Sequence, residues 1–275
     1  MNEIFSMWKH TKMVILVALS AAIFAAVLIP FKGFTLIPGI TEFRPANVFP
    51  VVFGLLFGPA GAWGSAIGNL IGDFFGTLGL GSIFGFVGNF LMAYVPYKLW
   101  NKLFLVATND EEPLKLNSSK KIVNWIIISV LSSVACALTI AWGLDLLKLV
   151  PFAALGLIIS LNNTIPAIIL GIPLMLIIYP RVKKWELLWT DIMEEEAGEK
   201  NPVLGRTGAF LMLVGIVGGM VLALIAALGF SSQVAFNFGA GVKGTAGVDL
   251  IAGLGWLLIM IGGIMMKTGK TVKNS

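Results

Sequence analysis

The chain has 275 residues, 57% of them hydrophobic and only 12% charged, with a mean hydropathy of +0.93. Ordinary soluble domains carry roughly 25% charged residues, so a soluble domain is excluded and an all-α, polytopic membrane bundle is indicated. The net charge of +5 does not point to nucleic acid, because the basic residues stand between apolar runs rather than on one soluble face.

Met13–Pro30 follows Lys9, His10 and Lys12 in the manner of a signal-peptide n-region. Its apolar run, however, approaches the ~20 residues a spanning helix needs and exceeds a usual signal core. It is therefore read as a retained first span over Lys12–Pro30. Ala18, Ala22 and Ala26 recur four apart and share one face, the kind of face that lets another helix approach closely in lipid. The loop Phe31–Thr41 is apolar and aromatic through Phe31, Phe34, Leu36 and Ile37. It fits a lid over a site or an interfacial segment equally well. The second span starts near Glu42 or Arg44 and ends near Phe57. From Asn47 it is too short to cross a core of about 30 Å at about 1.5 Å per residue, so it must tilt, begin earlier or be shielded by neighbours. Gly58-Pro59-Ala60-Gly61 turns the chain into a third span over Ala62–Phe75. Gly76–Gly81 turns it again, and a fourth span covers Ser82–Trp100.

Asn101–Lys121 is a polar linker with charges of both signs. A fifth span covers Ile122–Leu144, Asp145 and Lys148 mark a short break, and a sixth span covers Pro151–Tyr179. Trp185, Leu188, Trp189 and Ile192 predict an amphipathic interfacial helix over Trp185–Glu194. A seventh span follows over Ala209–Phe230, then a Gly-rich loop over Ser231–Val248 and an eighth span over Leu250–Met266. The expected domains are a six-helix unit over 1–180, an amphipathic and acidic linker over 181–206, and a two-helix hairpin over 207–275. With eight spans, most basic residues fall on one side, from Lys9 and Lys12 through the linker lysines and Arg181–Lys184 to Arg206 and Lys267, Lys270 and Lys273. The other side holds few: Lys32, Arg44, Lys148 and Lys243. The positive-inside bias then places both termini in the cytoplasm of a multi-pass plasma-membrane protein.

The polar residues inside these apolar runs are the candidate ligand contacts, since such groups are costly in a membrane unless paired or used. Arg44 and Asn47 open the second span beside Glu42. Asn69 and Asp73 lie four apart on one face of the third. Asn89 is midway along the fourth, Trp142 and Asp145 end the fifth, and Asn162 and Asn163 sit in the sixth. Amides donate and accept, and so suit neutral polar ligands. Arg44 and the carboxylates suit a charged group, and Trp142 suits a stacked ring. The bland alternative is that these residues bond one another and fix packing.

Enzymatic readings lack support. His10 is the single histidine and Cys136 the single cysteine, so no His-based triad, disulfide or cysteine metal cluster is expected. Gly269-Lys270-Thr271 is a near miss to a phosphate-binding loop. Gly239-Ala240-Gly241-Val242-Lys243-Gly244 matches G-x-G-x-x-G but lacks the strand–helix setting that gives the motif its meaning. No cofactor and no metal is expected.

The stretch Arg44-Pro45-Ala46-Asn47, leading to Leu55-Leu56-Phe57-Gly58-Pro59-Ala60-Gly61-Ala62 and Gly68-Asn69-Leu70-Ile71-Gly72-Asp73, resembles the S components of energy-coupling factor transporters. The alanine face of the first span and the apolar first loop share the resemblance, which covers about Met13–Tyr179. It implies six helices holding a vitamin-like micronutrient near the outer face. It also implies partners: a membrane-embedded coupling subunit, docked on Ala18, Ala22 and Ala26, and two cytosolic ATPases. The last two spans depart from the usual six helices. Metal-transporting relatives use N-terminal histidine ligands, and their absence here argues against nickel or cobalt. Riboflavin-, thiamin-, pterin- and base-like ligands fit about equally. A self-sufficient secondary carrier is the main alternative, although no convincing internal repeat is visible; a solute-free membrane scaffold and a membrane enzyme also remain open.

Overall fold

Thr11–Gly33, Ser119–Leu146, Phe152–Ile169, Pro202–Gly229 and Ala246–Met265 are five helical segments long and apolar enough to cross a bilayer. Helices satisfy their own backbone polar groups, which lipid cannot do, and the protein is a polytopic helical membrane protein. The computed structural model describes residues 2–38, 40–103, 110–194, 201–237 and 244–266. Gly39, residues 195–200, residues 239–243 of the glycine motif, Gly269-Lys270-Thr271 and the C-terminal lysines lie outside them.

In chain order the helices are α1 (Asn2–Ser6), α2 (Thr11–Leu28), α3 (Val48–Phe57), α4 (Pro59–Asp73), α5 (Gly81–Leu99) and α6 (Ser119–Leu146). They continue with α7 (Phe152–Ile169), α8 (Gly171–Lys184), α9 (Trp189–Ile192), α10 (Pro202–Leu213), α11 (Gly219–Gly229) and α12 (Ala246–Met265). Between α2 and α3 the first loop folds into an antiparallel ribbon, β1 (Thr35–Ile37) and β2 (Thr41–Glu42), with Thr35 opposite Glu42. A π-helical turn over Val214–Gly218 joins α10 and α11 into one span.

The α2–α4 seam shows why the sequence packs as it does. Gly64, Gly68 and Gly72 recur every four residues along α4. A Cβ at Gly64 would strike Ser20, and one at Gly68 would lie 2.8 Å from the Ala21 carbonyl oxygen. Glycine there lets the two backbones touch. α2 thus turns Ser20, Ala21, Phe24, Ala25 and Leu28 inward and leaves Ala18, Ala22 and Ala26 exposed. The short second span meets its length problem through shielding: Pro50 to Phe57 are all buried, and Phe49, Phe53 and Phe57 stack along one face at 5.2 and 5.6 Å.

Two expectations change. The sixth span is two helices, α7 and α8, divided at Leu170. Pro173 has no N–H for the Ile169 carbonyl and its ring crowds that position. Trp125 packs into the bend, where a Cβ at Gly171 would meet its ring, and its indole N–H donates to the Ala167 carbonyl at 3.1 Å. The amphipathic helix over Trp185–Glu194 is likewise replaced by the four-residue α9, because α8 ends with Glu186 in the left-handed region at φ 54°. Trp189 of α9 folds against Gly58 and the ring of Tyr97 at 5.6 Å.

The hairpin α10–α12 closes on itself through glycines: Gly208 faces Gly262, and both Gly215 and Gly219 face Gly255. It then lies on α6 and α7, where Gly219 meets Leu138 and Gly156 meets Met220. At one end of the bundle Lys98 bonds Glu3 of α1 and, at 2.8 Å, the Met266 carbonyl. The polar linker crosses that same end. The ribbon occupies the other.

Candidate functional site

The chain leaves α2 through a 3₁₀ turn over Ile29–Gly33, and the ribbon brings it back to Arg44, the residue before a second 3₁₀ turn over Pro45–Asn47. This return places Lys32, Glu42 and Arg44 over the end of α4. Lys32 Nζ lies 3.0 Å from Glu42 Oε1 and 3.5 Å from Asp73 Oδ1. Arg44 Nε lies 3.0 Å from the same Glu42 oxygen, and Arg44 Nη2 lies 4.0 Å from Asp73 Oδ1. None of the four side chains is more than 9% exposed. Taking an ion out of water costs several kcal/mol, and here two cations offset two carboxylates, so the buried charge sums to zero.

Hydrogen bonds fix the quartet in place. Arg44 Nη1 donates to Asn69 Oδ1 at 2.9 Å, and Asn69 Nδ2 donates to Asp73 Oδ2 at 3.3 Å. Thr77 donates to Asp73 Oδ1 at 2.9 Å and accepts from Lys32 at 2.6 Å. From α7, Asn162 accepts from the Arg44 backbone N–H at 3.3 Å and donates to the Glu42 carbonyl at 2.8 Å. Its neighbour Asn163 accepts from Asn47 and contacts Met92 Sδ at 3.5 Å.

A cavity of about 280 Å³ opens beside this network. Arg44, Asn69, Asp73, Thr77, Ser82 and Asn163 give it a polar side. Cys136, Ile140, Leu144 and Ile159 give it an apolar wall, and Ile40 and Thr41 of the ribbon segment cover it. A few placed polar groups in a mostly apolar hollow are the usual makeup of a small-molecule site. Gly85 on α5 keeps the hollow open, since a Cβ there would lie 3.1 Å from Asn69 Nδ2 and 3.7 Å from Asp73 Oδ2.

Of the residues singled out in the sequence, Arg44, Asn69, Asp73 and Asn163 line the cavity. Asn47 and Asn162 stand behind them as struts. Asn89 does not line it; its amide donates to the Gly85 carbonyl at 2.9 Å. Trp142 points elsewhere, packing on Trp256 of the hairpin at 5.4 Å and edge-on to Phe84. Sequence reasoning missed Thr77 and Ser82, and it treated Lys32 only as a topological marker. The available signal was that Lys32 is the one charge within the apolar loop Phe31–Thr41.

Comparison with protein families matches residues 14–180 to the family described as QueT transporter, more than half of the 275-residue chain. The chain belongs to the QueT transporter family. This is a family of energy-coupling factor S components, so the resemblance carried by Arg44-Pro45-Ala46-Asn47 and Gly68-Asn69-Leu70-Ile71-Gly72-Asp73 holds, as does the reading that the chain is a transporter and not an enzyme. The match ends within α8, and the hairpin α10–α12 lies beyond it. No curated protein and no solved structure matches the chain.

Proposed function

We propose that this protein captures a queuosine precursor in the cavity under the ribbon and delivers it across the plasma membrane with a coupling subunit and two ATPases. The observation that carries the reading is the charge-balanced, hydrogen-bonding hollow beside Arg44, Asn69 and Asp73 in a chain of the QueT family. Such precursors contain a flat 7-deazaguanine base rich in donors and acceptors, which suits a polar side facing an apolar wall. The volume of about 280 Å³ sits at the small end of ligand sites, which run from about 300 to 1,000 Å³, and favours a base over a larger conjugate. The ribbon end faces outward and both termini face the cytoplasm, in keeping with the basic residues gathered at the opposite end. The exposed Ala18, Ala22 and Ala26 face of α2 receives the coupling subunit.

Native mass spectrometry of the purified protein, followed by release of its ligand, tests the reading. A stoichiometric 7-deazaguanine-type mass is expected, together with uptake that depends on the ATPase partners. A different ligand class would overturn the substrate. Uptake by the chain alone, driven by an ion gradient, would replace the mechanism with a secondary carrier.

A further inference from the structure

The missing side chain at Gly85 leaves space against particular atoms. A Cβ at that position would lie 3.7 Å from Asp73 Oδ2 and 3.1 Å from Asn69 Nδ2. Among the described residues, the hydrogen bond to Asp73 Oδ2 is the 3.3 Å contact from Asn69, whereas Oδ1 is engaged by Thr77 and flanked by Lys32 and Arg44. A carboxylate oxygen takes two hydrogen bonds, so Oδ2 keeps acceptor capacity toward the hollow. Beside it the Asn69 amide and the Arg44 guanidinium supply donors. The hollow is thus bordered on one side by an acceptor next to donors, and on another by the apolar surfaces of Ile140, Leu144 and Ile159, which suit the face of a ring.

We propose that Asp73, together with Asn69 and Arg44, reads the ligand edge that carries two adjacent N–H donors beside a carbonyl, the lactam–amidine edge of a guanine-type base. Asp73 Oδ2 accepts from the exocyclic amino group through its one remaining site, and Asn69 or Arg44 donates to the carbonyl. This assignment rests on the capture reading above and adds to it which edge of the base is selected. A base without the amino group forfeits that hydrogen bond to a charged acceptor, which is worth more than one between neutral groups.

Isothermal titration of the full-length protein with 7-deazaguanine and with 7-deazahypoxanthine, which lacks only the amino group, tests it. The wild type is expected to bind 7-deazaguanine about tenfold or more tightly than the second probe, the usual weight of a hydrogen bond to a charged group. Asp73→Asn, which turns an acceptor into a donor, is expected to shrink that ratio to about twofold. Gly85→Ala, whose Cβ would fill the space against Asn69 Nδ2 and Asp73 Oδ2, is expected to weaken both probes. Equal wild-type affinity for the two probes overturns the edge assignment and leaves precursor capture standing, and this comparison needs no variant to fold. An unchanged ratio in Asp73→Asn, or full-strength binding of both probes to Gly85→Ala, also overturns it. If the wild type binds neither probe, the capture reading fails with it.

Discussion

The two ends of the bundle handle charge in opposite ways. At the ribbon end Lys32, Glu42, Arg44 and Asp73 are shut inside the protein and share partners. At the linker end Glu112 pairs with Lys115 at 2.6 Å and with Lys183 at 2.8 Å, yet these side chains are 34% to 49% exposed. There the packing is largely aromatic, with Trp189 on Tyr97 and Trp100 edge-on to Trp125. The exceptions are the buried Lys98–Glu3 pair that ties α1 to the end of α12, and the buried Lys121, 2.7 Å from the partly exposed Asp110. Distances alone would rank the two ends alike. Burial separates them, because an exposed pair is screened and worth about 0–1 kcal/mol, whereas removing one partner of a buried pair costs about 3–5 kcal/mol.

The sharpest break of this contrast is Arg44→Ala. It leaves Glu42 and Asp73 with Lys32 as the remaining cation of the quartet and removes the donor to Asn69. Loss of about 3–5 kcal/mol is expected, read as a large fall in the melting temperature in detergent, together with loss of ligand binding. A variant that melts with the wild type would show that water reaches the quartet, and the two ends would then be alike.

Next comes a change with a large effect on transport and little on stability. Ala22 is exposed on α2, while the opposite face of that helix is already occupied by the α4 glycines. The hairpin glycines Gly208, Gly215 and Gly255 are likewise matched within the chain, which leaves the Ala18, Ala22 and Ala26 stripe as a small-residue face open to another protein. Ala22→Trp is therefore expected to keep ligand affinity and melting temperature and to abolish uptake in cells carrying the partner subunits. Undiminished uptake would remove this stripe from the coupling interface.

Much of this was legible in the residues themselves. Asn69 and Asp73 share a helix face by spacing, and the alanine stripe follows from the same rule. Other features depend on geometry that spacing does not carry. Lys32, Glu42 and Asp73 meet because a ribbon folds the chain back; Pro38-Gly39 between Thr35-Leu36-Ile37 and Ile40-Thr41 marks a turn, but nothing in the spacing places that ribbon over the end of α4. Trp142 could be set aside only once the cavity face of α6 was known. Cys136, Ile140 and Leu144 repeat every four residues along the cavity face of α6. Trp142 is two residues from Ile140 and Leu144, about 200° round the helix, which turns it toward Trp256. Asn89 lies one turn below Gly85 on α5, close to the cavity face, but its amide is committed to its own helix. Pro173 removes the helical partner of the Ile169 carbonyl at the bend between α7 and α8, but Pro166 and Pro180 lie within these helices without ending them, so proline alone did not place the bend.

The smallest expected effect lies at the linker end. Hydrogen bonds from Lys115 and then Lys183 hold the Glu112 carboxyl down at about 2, from an ordinary 4.5. A carboxyl lowered in the folded state contributes stability that is fully present above its unfolded value. That contribution is lost as pH falls through the folded value, so the window runs from 4.5 down to about 2. Because the pairs are open to solvent, screening keeps the contribution small. Glu112→Gln is expected to leave the melting temperature near neutral pH within error and to flatten its fall only slightly across that acid window, with added salt having the same effect on the wild type. If Glu112→Gln instead lowers the melting temperature near neutral pH as far as Arg44→Ala does, the linker crossing holds the bundle together as firmly as the buried quartet does. Exposure would then be a poor guide to which charges this fold depends on.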